Sequence, residues 1–157
     1  MRGALLLIPA ACSLAVAACG SDEGSETAAT CLAGPDAYVE ALQRAPDDVR
    51  LADGTPISDC LAEGQSAGEL GTVGEAMITA ATRLNSDARR TLDQRTAVEL
   101  GYLVGAIERG AESTSGIHED LLRRVEAAAG FTGQAEAPAG SFREGFEQGL
   151  AAGREGG

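Results

Sequence analysis

Few bulky apolar side chains are available to this chain for building a core. Beyond residue 18 it holds 12 Leu, 4 Ile, 6 Val and 3 Phe, which is 25 of 139 residues, or about 18%. The overall hydrophobic fraction of 44% conceals this, because 30 of the residues behind it are Ala. A highly charged chain with less than about 20% of such residues falls in the range where disorder is suspected. Trp is absent and aromatics make up 3%. Any core is therefore thin, and stability is marginal unless something staples the fold.

The apolar positions that do occur repeat at helical spacing, and none alternate as a strand would. Pro35 suits the first position of a short helix carrying Tyr38, Val39 and Leu42, which Pro46 ends. Pro46, Asp53-Gly54 and Pro56 then mark a connection containing a turn. A long second helix is predicted over 57–84, weakened by Gly64, Gly68, Gly71 and Gly74, with room for a break between Gly64 and Gly71. Asn85 or Ser86 would cap a third helix reaching Gly110, and Ser113 to Ser115 offer caps for a fourth, with Gly130 just past its end. A loose segment with Gly133, Pro138 and Gly140 follows, and Ser141 with Glu144 has the spacing of a capping box opening a last helix. The expected fold is all-α: a small bundle of four or five helices over residues 31–157.

Two small-residue patterns belong to these helices. Gly101 and Gly105 form a GxxxG pair, but the uncharged run around them extends only from Leu100 to Ile107. That is too short to span a bilayer, so the pair predicts close helix packing within the bundle. Phe142, Phe146 and Leu150 line one face of the last helix beside Gly145, Gly149 and Gly153, and are expected in the core.

The N-terminus reads as an export signal over residues 1–18: Arg2, then an apolar stretch from Leu5 through Leu14 to Ala18, with small residues at its end. Val16-Ala17-Ala18-Cys19 resembles the lipobox of bacterial lipoproteins, an aliphatic residue and two small ones before cysteine. Cys12 fits less well, because Pro9 stands where the aliphatic residue belongs. The resemblance implies that Cys19 receives a diacylglyceryl group, becomes the first residue of the mature protein and can take an N-acyl chain. These lipids are the only prosthetic groups expected. Two acyl chains anchor a protein to a bilayer stably where one is marginal. The chain would thus be extracytoplasmic and held at the cell membrane. Residues 20–30, GSDEGSETAAT, have no large apolar side chain and read as a disordered tether, about 18 Å long as a flexible coil.

With Cys12 removed and Cys19 alkylated, Cys31 and Cys60 remain, and in an oxidising compartment such a pair is expected to bridge. Closing a loop of about 30 residues stabilises by about 3.5 kcal/mol in the chain-entropy picture.

Removing residues 1–18 takes away Arg2 and no acid, leaving 11 Arg against 24 acids, a net charge of −13, with no Lys. Such a body is repelled by nucleic acid and by anionic lipid. Without Lys there is no Schiff-base chemistry. His118 is the one residue a Ser-His-Asp triad could use. It stands beside Glu119 and Asp120 at the start of a predicted helix, where a solvated or capping role is expected. An EF-hand register on Gly54 would put Val49 and Leu51 in ligand positions, so the pattern fails. No catalytic, cofactor-binding or metal-ligating residue is nominated. The sequence favours a membrane-anchored binding or protein-interaction module, its partner an exported protein or a small ligand, over an enzyme. The alternative is a small envelope enzyme working with carboxylates and Arg alone, and a cleft lined by several acids and an Arg would favour it.

Overall fold

The computed structural model describes residues 27–130 and 140–157. The export signal, Cys19 and most of the expected tether fall in residues 1–26, and the loose segment around Gly133 and Pro138 falls in 131–139, so both lie outside the described residues. Among the described residues the fold is all-α, with five helices and no strand: α1 (Pro35–Leu42), α2 (Ala67–Thr91), α3 (Gln94–Ser113), α4 (Glu119–Ala128) and α5 (Ser141–Gly156).

Pro35 opens α1 as expected, and Tyr38, Ala41 and Leu42 point inward. Short 3₁₀ turns at Ala29–Leu32 and Ser58–Cys60 carry the two cysteines. Cys31 and Cys60 are bridged and fully buried, with their Cα atoms 5.5 Å apart. The bridge therefore joins the two 3₁₀ turns. Tyr38 donates its phenol to the Cys31 carbonyl at 2.8 Å, and burial pushes that phenol up from its ordinary pKa. The connection between α1 and the second turn is pinned by Asp53, which accepts from the Thr55 amide at 3.0 Å and from the Thr30 hydroxyl at 2.8 Å.

The second helix begins at Ala67, about ten residues later than the apolar spacing suggested, and ends at Thr91 instead of Leu84. Its start is set by a capping box. Ser66 Oγ accepts from the Glu69 amide at 3.2 Å while the Glu69 carboxylate accepts from the Ser66 amide at 2.9 Å. Asn85 does not cap α3, because its side chain is taken up across the bundle, donating to the Ala128 carbonyl at 3.0 Å. Ser86 likewise lies within α2. Asp93 caps α3 instead, accepting from the Arg95 amide at 3.3 Å.

Helix α3 is the centre of the molecule. Every residue from Ala97 to Ile107 is buried, the pattern of a helix packed on all sides. Against it lies α5 at backbone contact. A Cβ built on Gly101 or Gly105 would run into the carbonyl oxygens of Phe146 and Leu150, and one on Gly149 or Gly153 would run into those of Val98 and Tyr102. At Gly145 the nearest atom would be the Gln94 carbonyl oxygen, 2.7 Å away. Phe142 and Phe146 are buried, and Leu150 is half-buried beside them. The capping box expected at Ser141 does not form. Gly140, with φ 63°, is the N-cap, so Ser141 is already helical and no side chain caps the end.

Helix α4 follows a turn through Ser115 and Gly116, both at positive φ. The hydroxyls proposed as its caps are used elsewhere: Ser113 donates to the Gly110 carbonyl at 2.7 Å, and Thr114 lies within reach of the Gly110 and Ala111 carbonyls and of the His118 ring. Gly130 stands just past α4 at φ 79°, as expected for its position. Leu121 and Val125 turn α4 toward α2 and α3.

Two stability outcomes follow from this packing. Reducing the Cys31–Cys60 bridge, which closes a separation of 29 residues, removes about 3.5 kcal/mol and should lower the melting temperature by on the order of 10 °C. Two free thiols titrating in the unreduced native protein would contradict it. Glycine-to-alanine changes should divide by location. Gly71→Ala, with nothing within 4 Å of the added methyl, should stabilise by about 0.5–1 kcal/mol. Gly149→Ala must push a backbone carbonyl aside and should destabilise by about 3 kcal/mol or more. Paired thermal melts in which both variants move in the same direction would show that the α3–α5 contact is looser than described.

Candidate functional site

A buried polar cluster is built on His118. It was expected in solvent, yet it is 1% exposed and its side chain makes no capping bond to α4. The turn through Ser115 and Gly116 carries the ring inward, where both of its nitrogens find partners. Nδ1 lies 2.7 Å from the Thr114 hydroxyl and Nε2 lies 3.2 Å from Gln65 Oε1. Gln65 in turn donates to the Cys60 carbonyl at 2.8 Å and to the Thr27 hydroxyl at 2.9 Å. One chain of bonds thus ties α4, the end of α3, the disulfide-bearing turn and Thr27.

The directions of these bonds follow from counting donors. Both Gln65 N–H groups face oxygens, so Oε1 must accept and His118 Nε2 donates. Nδ1 then accepts from Thr114, which is the neutral Nε2–H tautomer. Burial pushes the imidazole below its ordinary pKa, in keeping with a ring held uncharged.

A hydroxyl beside an imidazole invites comparison with acyl-transfer centres, but this pair lacks two of their parts. Gln65 is neutral and cannot stabilise an imidazolium as a carboxylate does. Thr114 is 2% exposed, and its hydroxyl also faces the Gly110 and Ala111 carbonyls at 3.1 Å. The buried carboxylate Glu99, pushed up by burial and pulled back by Arg95 at 3.4 Å, cannot assist. It lies fifteen residues before Thr114 along α3, about 22 Å at helical rise.

The surface holds the cleft that would favour the enzyme alternative. Glu108, Glu112, Glu119 and Arg154 line a cleft of about 550 Å³, with Ala111, Gly116 and Leu122. Arg154 is ion-paired to Glu108, tying α5 to α3. A second groove of about 260 Å³ runs between α2 and α4, where Ile117 is 55% exposed beside Leu70 and Gly71. Among the described residues, no three of His, Cys, Asp and Glu stand close enough to hold a metal ion. None of the described helices is long and apolar enough to cross a membrane.

No protein-family model matches the chain, and comparison with characterised proteins and with solved structures finds no match.

Of the residues singled out from sequence, Cys31 and Cys60 are brought together, and Cys19 lies outside the described residues. Sequence reasoning missed Gln65 altogether and weighed Thr114 only among the Ser113 to Ser115 caps for the fourth helix. Neither carries a spacing signal, since their partners are 53 and 4 residues away along the chain. The cleft acids Glu108, Glu112 and Glu119 were equally hidden among 24 acidic residues.

Proposed function

We propose that this protein is an exported lipoprotein, anchored to the cell membrane through lipids on Cys19, whose helical body works by binding a partner close to the bilayer. The observation that carries the reading is the Val16-Ala17-Ala18-Cys19 pattern at the end of an apolar leader. The stretch that follows it, residues 20–30, is small and polar, with no large apolar side chain. Tethering raises the effective concentration of such a body near membrane partners, so modest contact affinity suffices. With 24 acids against 11 Arg in the mature chain, the body suits a partner with a basic surface.

The cleft of Glu108, Glu112, Glu119 and Arg154 supports a second reading, a small envelope enzyme using carboxylates and Arg. In that case the paired Glu112→Gln and Glu119→Gln variant would lose a turnover that wild type has. In the binding reading it would lose only partners held by charge.

The anchor is tested by fractionation and intact-mass analysis. The protein should partition with membranes carrying the added mass of lipid on Cys19, and Cys19→Ala should be released or left unprocessed. A mature protein with an unmodified Cys19 would overturn the reading. In-cell crosslinking separates anchor from partner: contacts made beside the bilayer should be recovered with wild type and lost with Cys19→Ala. Identical crosslinks from both would mean that the tether does not set the partner.

A further inference from the structure

The chain has one histidine, and the fold places it at a junction. Through Gln65, the His118 ring holds Thr27, and through Thr114 it holds the end of α3. Thr27 is itself 9% exposed, so it is buried on this network.

The surroundings offer a proton on this ring nothing to pair with. The segment from Thr27 to Ala33 has no titratable side chain apart from the bridged Cys31. In the connection before α2 the acids are Asp47, Asp48, Asp53, Asp59 and Glu63, all exposed, with Asp48 paired to Arg50 and Asp53 committed to Thr55 and Thr30. On α2 the nearest acid is Glu69, whose carboxylate is committed to the Ser66 amide. On α3 they are Glu108, paired with Arg154, and exposed Glu112. On α4, Glu119 and Asp120 are exposed, and Asp120 pairs with Arg123. None of these is bonded to the ring. His118 also stands at the N-terminus of α4, where the helix dipole disfavours a positive charge.

We propose that His118 is an acid-sensitive latch: proton uptake draws its ring out of the buried network and frees both Thr27 and the first turn of α4. In the closed state Nδ1 accepts a bond and the ring is neutral. A proton there would face the Thr114 oxygen, force that hydroxyl to turn wholly to the Gly110 and Ala111 carbonyls, and leave a buried cation without a counter-ion. A freed ring takes the proton at its ordinary value of about 6.5. Burial holds the closed ring below that value, so the latch is fully closed above about 6.5 and weakens as pH falls. The bonds concerned lie at one end of the bundle. At the glycine faces of the α3–α5 contact the nearest atoms are backbone, so that contact should stay closed. The latch does not depend on lipid at Cys19.

Hydrogen exchange on the full chain, corrected for intrinsic rates, tests this between about pH 7.5 and about pH 5.5. Protection at 60–66 and 117–122 should fall several-fold on acidification, while protection at 98–107 and 145–153 holds. His118→Gln cannot take up the proton and should remove the pH step. Equal protection of the junction at both pH values would overturn the proposal, as would a step that persists in His118→Gln. If that variant does not fold, the imidazole of wild type is followed by NMR. A titration below the ordinary value, moving with the Gln65 side-chain amide, supports the latch. A titration at the ordinary value, or one that Gln65 does not sense, overturns it.

Discussion

The backbones of α3 and α5 meet because glycine stands on both sides of the contact. Gly101 and Gly105 receive the carbonyl faces of Phe146 and Leu150, while Gly149 and Gly153 receive those of Val98 and Tyr102. Close approach multiplies atom pairs in van der Waals range, each worth only about 0.1–0.2 kcal/mol but numerous when no side chain intervenes. A chain with so few Leu, Ile, Val and Phe thereby obtains interior density without bulk. The cost is sensitivity, because a close-packed backbone has no flexible end to move aside. Everything else hangs on this pair: α2 and α4 cover the remaining faces of α3 with Val73, Met77, Leu121 and Val125, and the disulfide holds the N-terminal turns against the same core.

Polar groups in the interior are handled with similar economy of material. No described buried side-chain nitrogen or oxygen lacks a partner. Gln65 alone satisfies a carbonyl, a hydroxyl and an imidazole belonging to three separate stretches of chain. Asn85 does comparable duty between α2 and the end of α4. In a core that thin, an unmatched polar group would cost about 1–3 kcal/mol, a large share of a marginal total.

The helical class, the start of α1, the place of Gly130 and the cysteine pair were legible from residue type and spacing. The GxxxG reading also held, because a pattern that needs small side chains at every fourth residue leaves few structural uses. Boundaries were harder. Ser66/Glu69 and Ser141/Glu144 have the same spacing, yet only the first forms a capping box, since Gly140 brings the chain into α5 one residue earlier. Asn85 reads as a cap by type, but a tertiary partner on α4 outweighed its local preference. His118 was misplaced for the same reason. Its charged neighbours Glu119 and Asp120 pointed to solvent, while its actual partner Gln65 is 53 residues distant. The cleft of Glu108, Glu112 and Glu119 is a matter of which acids converge, and one acid among many carries no mark of its position.

The separation in sequence between the two glycine faces governs how the molecule assembles. Helices α2, α3 and α4 are joined by short turns at Leu92–Asp93 and at 114–118, so their mutual contacts form over short loops. Gly105 meets Leu150 across a sequence separation of 45, and the entropy of closing that loop precedes any reward from the contact. Until α5 docks, α3 exposes a groove of bare backbone flanked by Val98 and Tyr102, with no bulky side chain to shield it. The final helix therefore acts as the closing step of folding. An intermediate lacking it would be the species most prone to pair with a second chain.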